Sequence, residues 1–175
     1  MSKYQSTLKN LYKDILKLPM NQECLKCPAT TKEPLLPFVG DKFDGGGRFM
    51  FVRVGHQEDV GTLTADGYRD LSTVIRSLWN TNRDYFRLLR LITEPIYGKE
   101  GFRYISLSEL VKCTMPNEAE DQDYTTIDLK TLYGDVIEWM IESCYTKQRI
   151  IWQDIKAIKP NAVVFLYLIW SNLKK

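Results

Sequence analysis

The chain has 175 residues, 44% of them hydrophobic, and carries 24 lysine and arginine side chains against 22 aspartate and glutamate side chains. This length predicts one domain over residues 1–175, because two domains of half the size would each bury a marginal core. The net charge of +2 excludes a protein that binds nucleic acid through its overall charge, so any contact with phosphate requires a local basic patch.

The sequence lacks the features of a membrane or secreted protein. Its longest apolar run, residues 162–170, is too short to cross a bilayer, and residues 1–5 are polar where a secretory signal would be apolar. We therefore expect a soluble, intracellular, cytoplasmic protein without a membrane partner. In that reducing compartment cysteines rarely form disulfides, and a Cys-x-x-Cys motif indicates metal binding or redox chemistry.

Helical and strand patterns alternate along the chain. Apolar residues recur at helical spacing between residues 3 and 18, which predicts an amphipathic helix that Pro19 ends. Asp66 and Asn82 are candidate N-caps of two further helices. The predicted strands cover residues 49–54, 102–107 and 162–167, and the predicted later helices cover residues 67–79, 85–92, 129–143 and 147–158.

This order of elements predicts the fold class. Strands that are separated by helices and consist of uninterrupted apolar runs are typical of a parallel sheet covered on both faces. We therefore predict an α/β domain with three layers, α/β/α, around a central, mostly parallel sheet. Residues 115–128 are acidic and break the periodicity, which indicates an inserted surface loop.

The four cysteines, Cys24, Cys27, Cys113 and Cys144, are candidate ligands of one metal site. The two-residue gap lets the thiolates of Cys24 and Cys27 point at one ion, and two distant cysteines can complete a tetrahedral sulfur shell. Four sulfurs suit a four-iron cluster or zinc. The alternative is that Cys113 and Cys144 are small buried core residues and that the Cys-x-x-Cys pair alone is functional.

Read outward from the cysteines, the chain resembles the iron-sulfur (family 4 type) uracil-DNA glycosylases over nearly its whole length. Residues 49–55 correspond to the family's first strand and pocket turn, and Leu110-Val-Lys-Cys113 matches the segment of its third cysteine. Cys144, followed by residues 158–164, matches the fourth cysteine, its helix and the next strand. The resemblance implies a structural 4Fe-4S cluster, with Zn as the alternative, and a DNA-facing pocket for a base flipped out of the stack.

The pocket turn departs from the family's pattern. The family has Gly-Glu-Ala-Pro-Gly or a close variant, whereas this chain has Gly55, His56, Gln57, Glu58 and Asp59. Glu58 or Asp59 could activate water, and His56 could stabilise the negative charge of the departing base. Gly55 and Gln57 are candidate contacts to the base or to DNA. The alternative interpretation is a solvated polar loop.

Two further positions bear on recognition of the base. Glu109 stands where the family has an asparagine, and an ionised glutamate can only accept hydrogen bonds. It would repel O4 of uracil but could accept from an amino group of cytosine or adenine; alternatively it is a helix-start carboxylate. Tyr68 lies near the family's aromatic residue that stacks on the flipped base, or it packs on the domain at the start of a helix.

The family continues beyond the strand over residues 162–167 into a further helix, a strand and a His-Pro-Ser loop that supports the leaving base. This chain stops at Lys175, and its one histidine is His56. We therefore expect a C-terminally shortened, uracil-DNA glycosylase-like protein that binds single-stranded or damaged duplex DNA, with base excision weak, redirected or lost. The alternatives are a non-catalytic, metal-stabilised module that binds nucleic acid or a protein partner, and one part of a split glycosylase.

Overall fold

The computed structural model describes residues 3–17, 33–53, 61–110, 112–113, 144 and 149–166. The helix predicted over residues 129–143 and the acidic insertion predicted over residues 115–128 lie outside these ranges. Within them, every helix is too short or too polar to span a membrane.

Four helices and seven strands occur in the described residues. The helices are α1 (Lys3–Lys17), α2 (Ile75–Trp79), α3 (Asp84–Tyr97) and α4 (Ile150–Ile158). The strands are β1 (Leu35–Leu36), β2 (Phe38–Val39), β3 (Phe49–Arg53), β4 (Thr62–Leu63), β5 (Arg69–Asp70), β6 (Ile105–Glu109) and β7 (Ala162–Leu166).

The strands form two sheets. The larger has the order β2-β6-β3-β7, in which β3 runs parallel to both β6 and β7 and β2 runs antiparallel to β6. The smaller has the order β1-β5-β4, with β5 parallel to β1 and antiparallel to β4. The chain is therefore a mixed α/β protein with two mixed sheets, and the predicted α/β class is confirmed.

Each face of the larger sheet carries its own core, because successive residues of a strand point to opposite faces. Met50 and Val52 of β3 belong to a buried cluster that includes residues of α1 and α4. Phe51, between them, belongs to a second cluster that includes residues of α2 and α3. Helices therefore pack on both faces of the sheet.

Helix α1 follows its predicted bounds closely. Tyr4, Leu8 and Tyr12 are spaced four residues apart and are all buried, with Leu8 and Tyr12 at 0% exposure. Residues with this spacing share one side of a helix, so α1 packs on the sheet through a single apolar stripe.

The region before α2 differs from the helix predicted over residues 67–79. Strand β5 precedes α2, which begins only at Ile75. Oδ1 of Asp70 accepts hydrogen bonds from the backbone N–H and the hydroxyl of Ser72, at 2.8 and 2.6 Å. Bonds of this kind give the backbone an alternative to helical bonding and favour a turn.

Neither of the two predicted N-cap residues caps a helix in the structure. Asp66 forms an ion pair with Lys13 at 3.1 Å. Helix α3 begins at Asp84 and shows no side-chain cap bond, so Asn82 does not cap it. The strand predicted over residues 102–107 begins later, at Ile105, because Gly101–Tyr104 form a 3-10 turn.

Candidate functional site

The carboxyl ends of β3 and β6 lie side by side at one edge of the larger sheet. Arg53 ends β3, Glu109 ends β6, and the two residues are register partners.

Arg53 and Glu109 form a close ion pair at this edge. Nε and Nη2 of Arg53 lie 2.6 and 2.5 Å from Oε1 of Glu109. The Glu109 side chain is 4% exposed and the Arg53 side chain 20% exposed, so the carboxylate is the more deeply buried partner. Glu109 is the last residue of strand β6. The alternative interpretation of Glu109 as a carboxylate at the start of a helix is therefore wrong.

An aromatic ring supports the arginine. The guanidinium carbon of Arg53 lies 4.6 Å from the centre of the Tyr85 ring, at the distance of a cation–π contact. Burial raises the pKa of the Tyr85 phenol, so the ring stays neutral beneath the guanidinium. Arg53 is therefore held from the side by a carboxylate and from one face by an aromatic ring.

A pocket opens beside this pair. It is open in part to solvent, and its enclosed space has room for about one water molecule. Its polar lining residues are Arg53, Ser108 and Glu109, and the remaining lining residues are apolar or aromatic: Leu35, Leu36, Leu71, Leu78, Tyr85, Phe86 and Leu107. Apolar walls with a few convergent polar groups are typical of small-molecule sites.

Tyr68 does not line this pocket. It is 2% exposed and belongs to the cluster of α1 and α4, on the other face of the sheet from Tyr85. The aromatic ring that the structure brings to Glu109 is that of Tyr85.

A second polar group is fully buried on the face of α1 and α4. Nζ of Lys112 lies 2.5 Å from Oδ2 of Asp154 and donates to Oγ of Ser108 at 2.5 Å. The hydroxyls of Ser108 and Tyr12 also donate to Oδ2 of Asp154, at 3.1 and 3.3 Å. The side chains of Lys112 and Asp154 are 1% and 0% exposed, so this is an ion pair without solvent contact.

Burial sets the protonation of this network. It raises the pKa of the Asp154 carboxyl, against the opposite effect of the Lys112 ammonium. Burial and the nearby Asp154 hold the pKa of Tyr12 well above its usual range, so the phenol keeps its proton and donates. We call Lys112, Asp154, Ser108 and Tyr12 the buried polar network.

Two of the four candidate metal ligands lie beside this network. Cys113 follows Lys112 directly and is partly exposed, and Cys144 is buried. Both thiols raise the pKa of Tyr12, so both lie within electrostatic reach of its hydroxyl. Two cysteines that are far apart in the sequence therefore both act on one tyrosine.

The other predicted site residues lie outside the described part of the chain. These are Cys24, Cys27, Gly55, His56, Gln57, Glu58 and Asp59. The described residues alone contain no group of three side chains able to hold a metal ion.

Sequence reasoning missed Arg53, Tyr85 and Lys112. A signal existed for two of them, because Arg53 ends an apolar strand and Lys112 lies in the apolar stretch Leu110-Val-Lys-Cys113. A charge in such a stretch requires a buried partner. The sequence near Arg53 and Lys112 did not identify their partners, which lie far away in the chain. Tyr85 could not be distinguished from the other apolar positions of α3.

No match is found when the chain is compared with protein-family models, with curated proteins or with solved structures. The functional interpretation therefore depends on the geometry of the pocket and of the buried polar network.

We predict that Lys112→Met lowers the free energy of unfolding by about 3–5 kcal/mol, because it leaves the Asp154 carboxylate buried without its cation. The double variant Lys112→Met, Asp154→Leu removes both charges and should recover most of this loss. Urea unfolding followed by circular dichroism measures each value.

Arg76→Met is the matched control. Arg76 pairs with Glu100 at 3.3 Å on the surface, with side chains 74% and 49% exposed. Its loss should change the free energy of unfolding by no more than about 1 kcal/mol. A Lys112→Met variant as stable as Arg76→Met would contradict the assignment of a buried ion pair.

Proposed function

We propose that this chain is a uracil-DNA glycosylase-like domain that binds single-stranded or damaged DNA and takes a flipped base into the pocket beside Arg53. The observation that carries the proposal is the position of the pocket, at the carboxyl ends of β3 and β6 with Glu109 in its wall. Glu109 is the residue that aligns with the base-reading asparagine of that family. A base flipped from the stack requires apolar walls and a polar edge, and this pocket has both, although its walls must move apart to admit a base.

The layer arrangement supports the finer fold assignment. Helices pack on both faces of the larger sheet, and β3 has parallel neighbours on both sides. We propose on this basis a three-layer α/β/α domain with a mostly parallel sheet.

We further propose that Cys24, Cys27, Cys113 and Cys144 hold a 4Fe-4S cluster, with Zn as the alternative. Support comes from Tyr12, whose pKa both Cys113 and Cys144 raise. Thiolates suit both groups, and a bound cluster or zinc ion would supply structural cross-linking between distant parts of the chain.

In the excision reaction, the bond between the base and C1′ of the sugar breaks and water adds to C1′. The base leaves with the bonding electron pair, and the water proton passes to a carboxylate. Glu58 and Asp59 follow Arg53 closely in the sequence, and we propose them as that carboxylate, with His56 near the departing base. Excision is weak or redirected, because residues 55–59 lack the proline and the second glycine of the family's pocket turn.

A second candidate is a non-catalytic interaction module. In the described part of the chain, β7 pairs on one side, with β3, and its Phe165 is 47% exposed. An apolar strand at a sheet edge can pair with a strand of another chain. This edge favours a protein partner, which a split glycosylase would also require.

A gel assay separates catalysis from binding alone. We predict that single-stranded and mismatched duplex oligonucleotides that carry uracil or hypoxanthine yield abasic product, and that the Glu58→Gln, Asp59→Asn double variant loses it. Arg76→Gln, far from the proposed chemistry in sequence and on the surface of α2, is the control and should retain activity. Binding without product in the unmodified protein supports the interaction module instead.

Metal analysis tests the cysteine site. We predict that the purified protein contains either four iron and four sulfide per chain, with brown colour, or one zinc. Cys113→Ser and Cys144→Ser should each lose most of that metal, because a shell of three sulfurs holds it less firmly. Ser77→Ala on the surface of α2 is the control and should retain it. Full metal content in both cysteine variants would exclude a four-cysteine site.

A further inference from the structure

We propose that the side of α3 that faces away from the sheet docks against the same helix of a second copy of this chain, with the two helices antiparallel. This surface belongs to neither the pocket nor the buried polar network. The inference is therefore independent of the proposed base binding, and each can fail without the other.

Helix α3 carries a second apolar stripe besides the one that faces the sheet. The first stripe is buried and consists of Tyr85, Phe86, Leu89 and Thr93. The second, which we call the outer stripe, consists of Leu88, Leu91, Ile92 and Pro95. Residues three or four positions apart are neighbours on a helix surface, so the outer stripe is continuous. Ile96 extends it at the C-terminal end of the helix.

The outer stripe is open to solvent. Leu91 is 69% exposed, Ile92 37% and Ile96 63%. In the described part of the chain, these three side chains belong to neither buried cluster and are not packed against one. Single exposed apolar residues are common on protein surfaces, but a contiguous apolar patch is typical of a docking surface.

The charges beside the outer stripe favour a second copy as the occupant. Arg87 and Glu94 are both exposed, and because seven residues make two turns they lie on the same flank of the stripe. A two-fold axis perpendicular to the helices sets this flank against the same flank of the second copy, running in the opposite direction. Arg87 of each copy then faces Glu94 of the other. Arg87 also pairs with Asp84 of its own chain at 3.0 Å, and its guanidinium has further donors.

Other occupants fit this surface less well. A nucleic acid would be attracted by Arg87 and repelled by Glu94, and it would cover the leucine and isoleucine side chains without an apolar counterpart. A second outer stripe supplies that counterpart, with the same length and the same apolar character.

The size of the surface sets the expected affinity. Helix α3 has 14 residues, so it is about 21 Å long. One pair of helices of this length gives an interface at the low end of the range for specific complexes, and we expect a dissociation constant on the order of tens of micromolar.

Sedimentation velocity of the full chain tests the proposal, at concentrations from about 1 to 500 µM, which bracket the expected affinity. We expect a reversible equilibrium between monomer and dimer. Leu91→Glu should weaken the dimer about 10-fold or more, because the two-fold axis places the new charge twice in an apolar contact. Leu63→Glu adds the same charge at a leucine of β4 that is 48% exposed, and it should leave the equilibrium unchanged.

Charge reversal tests the antiparallel arrangement. Arg87→Glu and Glu94→Arg should each weaken the dimer about 2- to 30-fold, because two ion pairs at the rim become repulsive. The double variant Arg87→Glu, Glu94→Arg restores opposite charges across the two-fold axis and should recover most of the affinity. Failure of the double variant to recover would overturn the antiparallel arrangement.

Two further results would overturn the docking surface itself. One is a protein that stays monomeric at every concentration. The other is a dimer as strong in Leu91→Glu as in the unmodified chain, which would place the contact elsewhere, for example at the edge of β7. Urea unfolding of each variant confirms the fold, and a large loss of stability in Leu91→Glu would show that the stripe is covered within one chain, which also contradicts the proposal.

Discussion

The ion pair between Lys112 and Asp154 is the constraint that the rest of this structure must satisfy, because neither charge can stay buried without the other. Removing two charges from water costs several kcal/mol per ion, and attraction between them compensates only where geometry and further hydrogen bonds are good. Here Ser108 and Tyr12 supply those bonds. Because the four residues come from β6, the segment after it, α1 and α4, the pair can form only when these elements are correctly placed.

The buried polar network also joins the two candidate sites. Ser108 bonds Asp154 on the face of α1 and α4, and the next residue, Glu109, bonds Arg53 on the face of α2 and α3. Cys113 follows Lys112 in the chain, and the pocket opens on the second face. A candidate metal ligand and a candidate base contact therefore lie within a few residues of each other in the sequence.

Periodicity predicted the parts of the fold that depend on local pattern. The stripe of Tyr4, Leu8 and Tyr12 located α1, and the apolar runs located β3 and β7, because each of these patterns lies within one element. The helix predicted over residues 67–79 was largely wrong, because a single carboxylate, that of Asp70, stabilises a turn and a strand in its first half. The spacing of hydrophobic residues does not reveal such a hydrogen bond between a side chain and the backbone.

The candidate site was less predictable for a different reason. The roles of Arg53 and Lys112 depend on partners that the fold, and not the sequence neighbourhood, brings to them. The cysteines could be identified by residue type, and Cys113 and Cys144 both raise the pKa of Tyr12.

The most direct test of the account is X-ray absorption at the metal edge of the purified protein. The spectrum should show four sulfur atoms around the metal at about 2.3 Å, the distance of metal–thiolate bonds. A shell dominated by nitrogen or oxygen would contradict the four-cysteine site.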